Sequence, residues 1–157
     1  DLRVSSVTSR VPLRKLTEGE LDQARRQAAG EKVEVDPRWQ RFGPDDVYAR
    51  SLLELDQRYR RSPFQELEIQ AMRIGEVALT AVPAELFTWN GMRIKTGSPV
   101  KPAYVVTCAN GMIGYVGTPD AYGRGGYEVT PCIWSKVDPA APDVLIRDAL
   151  KALSGVA

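Results

Sequence analysis

The stretch QELEIQAMRIGEVALTAVP, residues 65–83, constrains the fold more than any other. Leu67, Ile69 and Ala71 alternate with Glu66, Glu68 and Gln70, the period-two pattern of a half-buried strand. Gly75-Glu76 offers a hairpin turn, and the apolar run VALTAV returns as a second strand. A chain with this hairpin builds a sheet, and other elements must cover its apolar face. Leu67, Ile69, Val77, Leu79, Val105 and Val106 are expected to form the central core.

The flanking segments supply those elements. Residues 2–14, rich in β-branched side chains, read as a strand. TEGE at 17–20 is a capping box, with Thr17 as N-cap and Glu20 reaching back, and the helix it opens runs to about Gly30. Residues 31–43 read as an irregular connection. A helix follows from Pro44 to the stop at Ser62-Pro63. After the hairpin, the pattern gives a helix from about 84 to 95. That places Glu85 in a first turn, where the helix dipole favours a carboxylate. AYVVTCA, 103–109, reads as a buried strand, and residues 141–155 as an amphipathic helix. The order strand, two helices, hairpin, helix, strand, glycine-rich loop, helix predicts a mixed α/β fold, a mixed sheet with flanking helices.

Length and charge narrow the function classes. The 157 residues, 43% apolar, fit one domain spanning 1–157. Lys and Arg number 21 against 20 for Asp and Glu, a balance that argues against a nucleic-acid partner. No apolar run is long enough for a transmembrane segment. The chain opens on DLRVSSVTSR, already strand-like and without Met, and is expected to be a piece of a longer product. Cys108 and Cys132 could form one disulfide; two buried thiols are the plainer expectation. Most telling, the chain has no histidine. The commonest general base and metal ligand is missing, so any chemistry here must use carboxylates, Lys, Tyr or Cys.

Residues 109–128, ANGMIGYVGTPDAYGRGGYE, hold six glycines and three tyrosines. Glycine lets a backbone turn tightly or approach a ligand or another segment. Tyrosine adds a flat apolar body with one polar tip. In sheets flanked by helices, ligands gather at the carboxyl ends of strands. Glu85 and Tyr115 each follow a strand and could face one crevice. GRGG at 123–126 lacks the spacing and the Lys-Ser/Thr of a phosphate loop.

EIQAMRIGEVALTAVPAELF and VTCANGMIGYVGTPDAYGRGGYEV together resemble the C-terminal part of the neutral/alkaline ceramidase family. Pro83, Glu85, Asn110, Tyr115, Thr118, Tyr122, Tyr127 and Glu128 match the family's two blocks in order, and the resemblance is best over 65–130. It implies a fragment of a larger hydrolase domain. Family members are zinc amidases that cut the N-acyl bond of ceramide, an amide lipid. The metal ligands are two histidines from the N-terminal part with a Glu and a Tyr that fall on Glu85 and Tyr115. Tyr127 falls on a tyrosine near the amide oxygen. The missing N-terminal part would supply the histidines, and the chain alone would be inactive. Ala84, Gly117 and Met112 depart from the family pattern, which bears more on ceramide specificity than on the metal. Relatives are often exported, though no export signal is visible here. The rival expectation is a non-catalytic stand-alone α/β domain that packs against a protein partner.

Overall fold

The computed structural model describes residues 1–157. Strand β1 (Leu2–Pro12) is followed by helices α1 (Glu18–Ala28) and α2 (Asp45–Arg61). The hairpin is β2 (Phe64–Ile74) and β3 (Val77–Val82). Then come β4 (Glu85–Leu86), α3 (Thr88–Gly97), β5 (Ala103–Thr107) and β6 (Tyr115–Val116). The short helix α4 (Pro119–Arg124), a 3-10 turn at Tyr127–Val129 and α5 (Ala141–Ser154) complete the chain. The main sheet runs β1-β2-β3-β5, antiparallel except for the parallel β3–β5 pair. This is the mixed sheet with flanking helices that the hairpin called for.

The cap of α1 forms as its residues dictate. Thr17 Oγ1 accepts the Glu20 backbone N–H at 3.2 Å, and Glu20 Oε2 accepts the Thr17 N–H at 2.7 Å. Helices α1 and α2 pack on each other around Leu21, Ala24, Leu52 and Leu55, beside the sheet rather than on it. Helix α5 lies across β1, β2 and β3, and α3 packs against α5 and β5.

Helix α5 approaches the sheet through small side chains. Ala141, Ala149 and Ala152 meet Ala71, Ala78 and Ala103 in one core cluster with Ile69, Val82, Leu145 and Leu153. This contact corrects the expected core. Ile69 is fully buried, and Leu67 and Val105 pack against the core from its margin. Val77, Leu79 and Val106 point to the opposite face, because Ala78, Thr80 and Val82 take the inside of β3 and Ala103 that of β5. VALTAV carries no polar alternation to fix its parity, and a close helix selects the small residues. Thr80 is tolerated inside because its hydroxyl donates to the Gln70 carbonyl at 3.1 Å. One buried polar link joins α5 to β1: Ser9 Oγ donates to Asp148 Oδ2 at 2.6 Å, and Arg147 donates to both Asp148 oxygens. Arg147 and Ser9 hold the Asp148 carboxyl below its usual range although burial opposes this.

Candidate active site

Residues 83–87 leave β3 extended, not helical. Glu85 therefore sits in a strand, and α3 begins only at Thr88. The competing demand is backbone pairing. Ile113 N–H donates to Pro83 O at 2.8 Å, Glu85 N–H to Gly114 O at 2.9 Å, and Phe87 N–H to Val116 O at 3.1 Å. These bonds zip β4 to β6 as a parallel pair, with Glu85 opposite Tyr115 and Leu86 opposite Val116. The far edge of β6 is held by Tyr115 N–H donating to Trp134 O at 2.8 Å. Buried Asn90, in α3, caps the pair by donating to Val116 O at 3.2 Å and Gly117 O at 3.0 Å. Directly paired residues share a face, so Glu85 and Tyr115 emerge side by side.

Two glycines allow close backbone approaches around the site. Gly114 has φ +93°, and a Cβ there would collide with the Trp134 carbonyl. Gly125 has φ +86°, and a Cβ there would strike the Arg38 backbone. At both positions the space the glycine frees is taken by the protein's own backbone, not left open for a ligand.

Glu85, Trp89, Cys108, Tyr115, Arg124 and Glu128 help to line an open groove of about 810 Å³ at the carboxyl ends of β3 and β5. The Tyr115 phenol is held above its ordinary pKa by partial loss of water, then by the Glu85 carboxylate facing it; Tyr127 and Glu128 add to the effect. Tyr127 is raised too, first by desolvation and then by neighbours that include Tyr48, Cys132, Glu85 and Glu128. Two carboxylates thus press negative charge on two phenols, a field that a cation would relieve. Arg124 pairs with Asp120 at the rim.

Tyr127 does not line the groove. Its ring stands edge-on to Tyr115, centroids 5.9 Å apart, and edge-on to Phe42 at 5.3 Å. Tyr122, the third tyrosine of the stretch, is turned inward. Its hydroxyl lies buried near the Gly117 backbone without a well-formed hydrogen bond, and burial pushes its pKa up to about 12. The cysteines are both free and differ from the expected pair of buried thiols: Cys132 is buried, with its pKa pushed up to about 11 by burial, whereas Cys108 is exposed at the groove. Cys108 adopts φ +53°, because its N–H is drawn to the Ala84 carbonyl at 3.1 Å just beyond β5.

In the sequence Glu128 is marked only as a position matching the ceramidase family, and Trp89 and Arg124 carry no such mark. Trp89 could have been suspected, since an exposed Trp four residues after a carboxylate is an unusual use of that side chain; it is 67% exposed.

Glu85 and Tyr115 offer a metal two hard oxygen donors on one face. No group of three or more His, Cys, Asp or Glu side chains converges anywhere in the chain. A catalytic zinc takes about three protein ligands and keeps one position open. The donor set fits part of such a site, and the negative field at Tyr115 and Tyr127 suits a cation there.

No family model and no curated protein sequence matches the chain. Among solved structures, it is similar to the neutral ceramidase from Pseudomonas aeruginosa, with a TM-score of 0.54 and 16% identity over 99% of this chain and 29% of that one. It is also similar to a ceramidase solved in complex with C2, with a TM-score of 0.52 and 16% identity over 99% of this chain and 30% of that one. The chain therefore shares the fold of one part of these ceramidases and spans under a third of their length.

Proposed function

We propose that this chain is the C-terminal portion of a ceramidase-like zinc amidohydrolase, a domain that supplies part of a metal site and acts on N-acyl amides of ceramide-like lipids. The observation that carries this reading is the pairing of Glu85 with Tyr115 across β4 and β6, with the Tyr127 ring against Tyr115. The two residues that the ceramidase resemblance marks as metal ligands lie 30 positions apart in sequence, yet they are strand partners.

Glu85 and Tyr115 would hold zinc, with nitrogen ligands supplied by the portion of the protein that precedes this chain. Zinc supplies Lewis acidity and makes hydroxide available near neutral pH. The chain's own residues do the rest. Glu85 contributes the charge that draws the cation. Tyr115 would be the second oxygen ligand, and a cation held there would favour the ionised form of its phenol. Tyr127 donates a hydrogen bond where negative charge develops on the scissile carbonyl oxygen. The groove beside Trp89, Leu86 and Phe87 gives an acyl chain an apolar wall.

The test compares the 157-residue chain with a longer product of the same reading frame. Zinc is read by elemental analysis, and hydrolysis by product release from a short-chain fluorescent ceramide. The longer product is expected to hold zinc and to cleave the amide, and Glu85→Ala in it to lose both. Stoichiometric, tight zinc in the 157-residue chain alone, or full zinc in Glu85→Ala, overturns the proposal.

A further inference from the structure

The sheet has one covered face and one bare face. Helix α5 and part of α3 cover the face that carries Ile69, Ala78 and Ala103. On the other face the strand register aligns Val4, Met72, Leu79 and Tyr104 in one row. A second row is Leu2, Ile74 and Val77, and a third is Ser6, Gln70, Ala81 and Val106. Leu2 is 66% exposed, Val4 60%, Ile74 56%, Tyr104 49% and Val106 45%. Lys95 of α3 reaches the Tyr104 ring, 5.6 Å from its centroid, at the edge of the patch, and no helix of this chain lies across the rest.

The bareness is selective. Towards the other end of β1 and β2 the same face turns polar, with Thr8 opposite Glu68 and Arg10 opposite Glu66, and Arg10 ion-paired to Glu66 at 3.5 Å. Water suits that end. The apolar end is different: an exposed apolar patch of this kind marks a surface that another body covers. It also includes the parallel β3–β5 pair, and parallel strands are most often buried on both faces. Finally, the apolar rows run along β3 and β5 towards the groove. Val106 is followed directly by Thr107 and Cys108, both of which line it.

We infer that the apolar half of this bare face, centred on the row Val4, Met72, Leu79 and Tyr104, is the seat of the preceding portion of the same polypeptide, which lays an apolar sheet or helix face on it. The occupant is argued from three facts. The fold is shared with only 29% of the ceramidase chain, which leaves most of such a protein to be placed. The patch is apolar without a surplus of either charge, which suits a permanent intrachain contact and not a charged or transient partner. Its continuity with the groove means that a body seated there reaches Glu85 and Tyr115, where the donor set is incomplete. The inference rests on the amidase reading for the identity of the occupant, but its test has a separate readout.

Oxidative footprinting reads the face directly, because Met72 and Tyr104 lie in its central row and both are modified by hydroxyl radicals. Met92, on α3 and not on a strand of the sheet, is exposed and serves as the reference. The longer product is expected to protect Met72 and Tyr104 at least about tenfold relative to the 157-residue chain, with Met92 unchanged. In the longer product, Leu79→Lys is expected to restore labelling of Met72; in the 157-residue chain the same change is expected to leave the circular dichroism spectrum as it was. Met72→Lys, read through Tyr104 labelling, gives the same information if Leu79→Lys fails to fold. Equal labelling in the two products overturns the inference. So does protection already present in the 157-residue chain that falls on dilution, since the occupant is then a second copy. Protection in a longer product that holds no zinc and cleaves no amide upholds the seat and removes the amidase reading. Zinc and hydrolysis without protection remove the seat and keep the amidase.

Discussion

Glu85 and Tyr115 are partners across a two-residue parallel strand pair, and the pairing is enforced by backbone hydrogen bonds on both sides of β6. Neither side chain contributes to those bonds. Site and scaffold are therefore separable, and substitutions at the two residues should change chemistry without unfolding the chain. Tyr115→Phe and Glu85→Gln are expected to shift the stability of the 157-residue chain by less than about 0.5–1 kcal/mol in urea denaturation. A loss of several kcal/mol in either would show that the side chains hold β4 and β6 together.

Gly114 is the scaffold's weak point. Alanine there must adopt φ +93° and move the Trp134 carbonyl that anchors Tyr115. Gly114→Ala is expected to cost about 1–3 kcal/mol or more. Gly123, inside α4, has an ordinary φ and open space around a new Cβ, so Gly123→Ala is expected to stabilise by about 0.4–1 kcal/mol. The two midpoints of thermal unfolding should move in opposite directions. Equal shifts would mean that the close approach at Gly114 does not exist in solution.

The sheet's two faces predict a contrast between two apolar strand residues. Ile69→Ala, on the covered face, is expected to cost about 2–5 kcal/mol. Leu79→Ala, on the bare face, should cost only about 1 kcal/mol in the 157-residue chain. In a longer product that covers the face, the cost of Leu79→Ala should rise towards that of Ile69→Ala. Equal costs in the short chain would place Leu79 inside.

These contrasts also show what was legible in the sequence. The hairpin, the Thr17–Glu20 cap, the helix 141–154 and the mixed sheet follow from local pattern, because alternation, capping residues and helix stops act within a few residues. The parity of VALTAV did not, since it depends on α5 arriving with alanines from about 60 to 75 residues further along the chain. Local pattern places Glu85 in a helix because it cannot see that the Gly114 carbonyl takes the Glu85 N–H and the Val116 carbonyl that of Phe87. The pair of site residues came from a resemblance to two separated blocks, not from composition. Nothing local marks Glu128 or Arg124 as groove residues, because their place there is set by the short helix α4 and the turn after it.

Tyr122 makes a prediction about alkaline pH. Its folded pKa is about 12, above the ordinary value of 10. The folded state keeps a proton that the unfolded chain releases, so its stabilising share is complete below pH 10 and is lost as pH rises towards 12. The loss is about 2–3 kcal/mol by pH 12. Cys132, pushed from 9 to about 11, adds a loss of the same sign that begins about one pH unit lower. Tyr122→Phe is expected to be close to neutral at pH 7, since the hydroxyl there is buried without a partner. Between pH 10 and 12 it should flatten only its own part of the decline, and Cys132→Ala the earlier part. Urea midpoints measured across pH 8–12 read both. A decline unchanged in Tyr122→Phe would place that hydroxyl in water.

Tyr127 separates metal holding from turnover. Its ring rests on Tyr115 and Phe42 and not on the groove wall, so these contacts set the ring's position, and the proposed role falls to the hydroxyl alone. Phenylalanine keeps the ring contacts and removes one donor. In the longer product, Tyr127→Phe is therefore expected to retain zinc at the unsubstituted stoichiometry. If the hydroxyl donates to the developing oxyanion, kcat should fall by roughly 10²–10³-fold. The fall should appear in kcat and kcat/KM together, since the hydrogen bond strengthens only as charge develops. Phe42→Ala removes one of the two rings that hold Tyr127, and should produce a smaller fall in the same two quantities with zinc again retained. An unchanged rate in Tyr127→Phe would take the residue out of the reaction, and loss of zinc would make it a ligand instead.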